Sequence, residues 1–409
     1  MARHYNSFEF IGNISFNKDE NKVLETIKHD SGWQTKRLGV GVKATATNGV
    51  FLKADALYNP TETNTIFTMG KDGSKLEVPF KDRNKQVSLD MVADFKKLVV
   101  DLETDFEKKS ERIKLKYKII NIENREEKTE DDLKKLEDYK KEYIEKSDNL
   151  HEFISEYDFI LFVKESAELL KQHKVRVTGN LEMSLWKEKY YVSYIPKHIE
   201  FAEDNVENKL QALVDVYFDK NAIDDTLLKT DNKLIVNGYL ISYDNSAKAD
   251  RFYPKKFIIN GVNFEDEEQV QMFELVKSFV TTDKNTVHHM LWNVNVYKGA
   301  EVKEFTYENL TPTQKQFVDM GLATIDDYRP KGGFLGGNIE EFKLFMPELK
   351  DDYKDGILDS EMTEEEFIKL LAVHVDRPKK DDKPKETVKQ ETTSTQDDEL
   401  KAKMSKLFG

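Results

Sequence analysis

Apolar and polar residues alternate strictly over residues 33–44 (WQTKRLGVGVKA). Leu38, Val40, Val42 and Ala44 share one face, and Arg37, Gly39, Gly41 and Lys43 share the other. That period of two predicts a half-buried β-strand. Asn48-Gly49 is a hairpin signal. Beyond it Val50, Leu52, Ala54 and Ala56 alternate with Phe51, Lys53, Asp55 and Leu57, until Asn59-Pro60 ends the strand. Upstream, 8–16 (FEFIGNISF) predicts a first strand interrupted by Gly12. Downstream, 65–69 and 75–80 predict a further hairpin turning at Lys71-Asp72-Gly73.

From Ser88 the period becomes helical. Residues 88–119 and 130–172 lack Pro and Gly and carry dense mixed charge, predicting a helical hairpin joined near 121–129. Alternation returns at 174–181 and at 189–201 (KYYVSYIPKHIEF). The second half repeats this order of elements without sequence identity: strands at 210–218, 233–243 and 252–260, a helix at 265–281, then strands at 286–298 and 301–307. Carboxylates at Glu265–Glu268 suit the positive end of that helix. Residues 331–347 read as a Gly-rich loop with a short apolar segment, and 363–375 as one more helix. After Pro378 the composition is that of a disordered linker. Leu400, Met404, Leu407 and Phe408 close the chain with the spacing of a short amphipathic helix.

The reading is therefore mainly β with an α insertion. Residues 1–204 form one unit with the helical insertion at 88–172, and 205–347 form a second. Residues 348–377 form an acidic helical segment, and 378–409 a flexible tail. The 409 residues allow two or three such units. With no cysteine, disulfides, thiolate metal sites and cysteine nucleophiles are excluded, as expected of a reducing cytoplasm. No apolar run nears the ~20 residues needed to cross a bilayer, and the start does not have the pattern of a signal peptide. A soluble, cytoplasmic protein is expected.

A net charge of −14 opposes binding to phosphates, but the charge is uneven. Residues 1–100 and 172–200 are net basic within an otherwise acidic chain, which permits a local anion-binding face.

Three strands, a helical segment and two strands is the element order of the OB-fold, a five-stranded barrel that binds oligonucleotides across strands two and three. The chain resembles the OB-fold single-stranded DNA-binding proteins, particularly those of bacteriophages. The residues that carry the resemblance are Phe8-Glu9-Phe10-Ile11-Gly12-Asn13-Ile14, the Lys- and aromatic-bearing strands at 33–58, and Val177-Thr178-Gly179-Asn180-Leu181 leading to Trp186-Lys187-Glu188-Lys189-Tyr190-Tyr191. It covers roughly 1–200, and 205–310 by topology only. It implies two tandem OB-like barrels that coat and protect single-stranded DNA in phage replication or recombination, without cofactor or turnover.

Such a binder needs cations along the phosphates and rings under the bases. With aliphatics turned inward, Arg37, Lys43, Phe51 and Lys53 share the outer wall, and Trp33 and Lys36 lie at its entry. Gly39 and Gly41 would let a ribose or base approach the backbone. Arg176, Lys187, Lys189, Tyr191 and Lys197 extend the path. Tyr239, Tyr243, Arg251, Tyr253, Lys255 and Lys256 form the matching set in the second barrel. Trp186, Tyr190, Tyr194 and Trp292 read as packing residues.

Other signals fail on chemistry. Asp351, Asp355 and Asp359 suggest a calcium loop, but Tyr353 and Met362 stand where ligands are required. The glycines at 332–337 lack the Lys and Ser/Thr of a phosphate loop. Adjacent His288 and His289 point to opposite faces of a strand. No catalytic residue, metal or cofactor is expected. The acidic residues at 348–366 and the tail are candidates for competing with DNA or recruiting replication or recombination proteins. The rival reading is a non-enzymatic assembly protein whose barrels are scaffolds and whose helical arm makes the contacts.

Overall fold

The structure, a computed structural model, describes residues 6–59, 64–282, 286–303, 305–330, 334–348 and 362–372. The first half opens with β1 (Asn6–Phe16), β2 (Leu24–Lys28), β3 (Gln34–Lys43) and β4 (Gly49–Tyr58), followed by a small hairpin, β5 (Thr65–Met69) and β6 (Lys75–Pro79). β7 (Leu98–Asp101) and β8 (Leu150–Phe153) bracket two helices, Phe106–Glu123 and Glu130–Glu145. Helix Glu156–Glu165 then leads to the long strands β9 (Lys174–Trp186) and β10 (Lys189–Phe201).

β1 pairs antiparallel with β3 and with β9, β3 pairs with β4, and β9 with β10. This is OB order: the first strand lies between the second and the fourth. β4 lies along β10, although no hydrogen-bonded ladder joins them among the described residues. β10 instead takes β7 in parallel. Helix Glu156–Glu165 packs on β3, β4 and β7 and buries Phe159, Ile160 and Val163 there.

The second half contains β11 (Lys209–Asp224), β12 (Lys233–Asp244), β13 (Ala249–Asn260), helix Glu267–Ser278, β14 (Thr286–Lys303) and β15 (Phe334–Pro347). Its ring closes: β11 pairs with β12, β12 with β13, β13 in parallel with β15, β15 with β14, and β14 with β11. Closing the ring covers the strand edges wherever these ladders run, and leaves the start of β14, Thr286 and Val287, outside them. The short β16 (Met362–Thr363) and helix Glu364–Leu370 follow.

The two barrels share one sheet, because Asn6–Ile11 of β1 pair antiparallel with Val214–Lys209 of β11. The junction is reciprocal. The Asn6 side chain donates to the Ile241 carbonyl at 2.6 Å, and Asn208 donates to the Ala44 carbonyl at 2.9 Å. The β9–β10 hairpin reaches the second barrel, where Met183 N–H donates to Ser242 Oγ at 2.8 Å. β14 reaches the first, where Lys298 N–H donates to Asn48 Oδ1 at 2.9 Å. One core runs through both halves and includes Phe10, Phe201, Phe218, Trp292 and Phe342.

Three expectations are corrected. The stretch from Ser88 is not helical throughout, because Leu98–Asp101 and Leu150–Phe153 are strands. A run of only four residues has no decisive period, so its pairing along the sheet settles its state. The hairpin at Asn48-Gly49 turns earlier, through 44–48, since Asn48 is held by β14. The fourth strand of the second barrel runs on to Lys303, and the fifth is Phe334–Pro347 rather than 301–307. The calcium-like loop at 351–359 and the tail after 372 lie outside the described residues.

The helical hairpin is anchored on β7 and β10. Asp101 of β7 pairs with Arg112, and Lys109 pairs with Glu200 of β10 at 2.6 Å, all four largely buried. Burial alone would raise the Glu200 pKa; Lys109, His198 and Arg176 outweigh it and hold the carboxyl below its usual range.

Candidate nucleic-acid interface

The outer wall of β3 and β4 is open. Leu38, Val40, Val42, Val50, Leu52, Ala54 and Ala56 are buried inward. The same alternation turns Arg37, Lys43 and Lys53 to solvent and leaves Phe51 75% exposed. Among the described residues neither Lys43 nor Lys53 has a salt bridge. A groove of about 320 Å³ lies on this wall. Asn17, Lys22 and Glu25 line it on one side, and Arg37, Phe51, Lys53 and Asp55 on the other. Trp33 and Lys36 are half-buried at the entry, and the Lys36 ammonium donates to Thr26 Oγ1 at 2.8 Å.

Two details differ from the reading of the sequence. Arg37 is engaged: its guanidinium grips Asp55 through two bonds of 2.9 and 3.0 Å, and that hydrogen bond, against partial burial, raises its pKa further. The glycines are used by the protein itself. A Cβ at Gly39 would stand 2.5 Å from the Lys22 carbonyl oxygen, and one at Gly41 would overlap the Val50 carbonyl. They admit the chain's own backbone rather than a ligand.

A second exposed cluster sits at the tip of the β9–β10 hairpin. Trp186, expected to pack, is 60% exposed, with the Lys187 ammonium 4.4 Å from its ring centroid. Lys189 is opposite Trp186, and Tyr191 is one pair further along on the same face, opposite Ser184. Lys189 and Tyr191 are exposed. Lys187 and Glu188 turn the hairpin with φ of 47° and 63°, a backbone conformation costly for residues with a Cβ.

The remaining candidates do not join either cluster. Arg176 is bound to Glu200 at 3.0 Å and neighbours Glu9, within the ionic network under the helical hairpin. Asp101, His198 and Glu200 approach one another there closely enough to hold a metal. Lys109 and Arg112 already supply the positive charge, so the donors do not suit a cation.

In the second barrel Tyr239 is 1% exposed and donates to Asp219 at 3.2 Å, and Tyr253 faces the core. Burial pushes the Tyr253 pKa up to about 12. Lys255 lies 3.7 Å from the Phe342 ring centroid beside Glu340, and burial lowers its pKa despite that carboxylate. Arg251 donates to the Lys369 carbonyl. Tyr243 and Lys256 alone face solvent. The wall predicted by analogy with the first barrel is thus covered.

Sequence reasoning missed the rim residues Asn17, Lys22 and Glu25, which lie on the turn after β1 and on the short β2, a strand of five residues with no clear alternation. It also missed Asp55 as the partner of Arg37. That pairing follows from the hairpin register, in which Arg37 faces Asp55, Gly39 faces Lys53 and Gly41 faces Phe51.

No family model and no curated protein matches the chain. A solved structure of a deletion mutant of the single-stranded DNA binding protein from Thermus aquaticus is similar over 73% of this chain and 89% of that one. The identity is 10% and the TM-score 0.28, too low for the likeness to carry argument. The fold stands on the strand pairings.

Proposed function

We propose that the chain binds single-stranded DNA on the outer wall of its first barrel, as a non-enzymatic protein that coats and protects the strand during replication or recombination. The phage setting and the cytoplasm belong to the same reading. One observation carries it: a ring, Phe51, stands exposed between Lys43 and Lys53, which make no salt bridge among the described residues, on the strands flanking an open groove. Exposing an aromatic side chain forgoes its burial energy of about 1.5–3 kcal/mol. A stacked base recovers ~1–3 kcal/mol per ring while phosphates meet the lysines. The hairpin tip with Trp186, Lys187, Lys189 and Tyr191 offers a second platform of the same chemistry.

The test is a titration of labelled oligo-dT at two salt concentrations, with duplex and RNA controls. Tight, salt-dependent binding weakened by Lys43→Glu and Lys53→Glu is expected; salt-independent or absent binding rejects the proposal. The rival, assembly through the helical arm, is favoured by Ile113, Tyr117 and Ile120, which form an exposed apolar stripe on Phe106–Glu123. It would be preferred if the oligonucleotide failed to bind.

A further inference from the structure

The second barrel's outer wall is occupied by the chain itself. β16 pairs antiparallel with Thr286 and Val287 at the start of β14. Helix Glu364–Leu370 then inserts Phe367, 0% exposed, between the rings of Tyr239 at 4.6 Å and Phe252 at 4.8 Å. Tyr217 packs edge-on against Phe252 at 4.9 Å. Leu371 joins the same apolar cluster and bridges Phe252. Ala372 N–H donates to the Phe252 carbonyl at 2.8 Å, and the Ala372 carbonyl accepts from Tyr190 Oη at 3.0 Å.

This wall is built for a peptide. Its ends offer backbone pairing, as in strand addition, and its centre offers a ring-lined pocket for an anchor. It is poorly built for phosphate. Asp215 and Asp219 alternate with Tyr217 along β11, beneath the same rings, with His289 against Asp215 at 2.7 Å and Tyr239 on Asp219. Of the three cations expected on this wall, Lys255 is engaged with Glu340 and Arg251 with a carbonyl, which leaves Lys256 facing solvent against the two carboxylates.

We infer that the outer wall of the second barrel is a peptide-binding site for a short amphipathic helix carrying a Phe and, four residues on, a Leu. Residues 362–372 hold it in cis, and a segment of the same pattern from another molecule takes it when they are displaced. The inference does not rest on DNA binding by the first barrel.

A fluorescein-labelled synthetic peptide of residues 360–374 tests it against the full chain. Phe367→Ala loosens the internal segment, so this variant is expected to bind the peptide at least ten-fold more tightly than the wild type. A peptide with Ala in place of Phe should not bind, and oligo-dT should neither displace the peptide nor bind the variant more tightly than the wild type. Absence of peptide binding to a variant that still melts cooperatively overturns the inference. So does displacement by oligo-dT, which would make the wall a nucleic-acid surface. If Phe367→Ala does not fold, Leu371→Ala, which loosens only the far end of the segment, is read by the same criteria.

Discussion

Ring and charge on the first barrel's wall can be separated by their salt dependence. Phe51 is three-quarters exposed, so Phe51→Ala removes little packing and its effect on stability should stay within about 0.5 kcal/mol. Its effect on oligo-dT binding is the loss of one stacked base, ~1–3 kcal/mol, or roughly 5- to 150-fold in Kd. The ring carries no charge and releases no counterion. The plot of log K against log salt should therefore fall without changing slope. Lys43→Ala and Lys53→Ala should behave differently, each lowering the slope by about 0.7 for a single strand. Asp55→Asn goes the other way. It frees Arg37 from its bidentate partner, adding a cation to the wall and steepening the slope by about 0.7. Fluorescence anisotropy at four or five salt concentrations reads all of these. A slope change with Phe51→Ala, or none with Asp55→Asn, would refute the assignment of roles.

Three further outcomes are expected. Trp186→Ala should leave the melting temperature nearly unchanged and weaken binding only to oligonucleotides long enough to reach the hairpin tip, which a length series will show. Asp101→Ala leaves the Arg112 guanidinium buried without its carboxylate, while Lys109 keeps Glu200, and denaturant titration should record a loss of about 3–5 kcal/mol. Glu200, whose folded pKa lies below the usual value near 4.3, contributes stability above that pH and loses it as pH falls through the folded pKa. Glu200→Gln should flatten the pH dependence of stability below about pH 4.5 in acid unfolding followed by circular dichroism; an unchanged acid limb would discount the network.

The sequence alone determined what depends on neighbours along the chain. Alternation from Leu38 to Ala56 fixes which side chains turn outward, because successive Cβ atoms of a strand must oppose each other. It therefore placed Lys43, Phe51 and Lys53 on one wall, and the same rule along β14 turned Trp292 inward with Met290, Val294 and Val296. The order of strands and helices made the OB barrel legible, since each element's period is local. Contacts between distant segments were decided only in three dimensions. Tyr239 and Tyr253 have the same composition and spacing as a binding wall. Whether solvent reaches them depends on a segment more than a hundred residues away and on which face meets the core. The fifth strand at Phe334–Pro347 was hidden for a related reason: its partners are β14 and β13, and a glycine-containing run gains strand character only from the ladders that flank it.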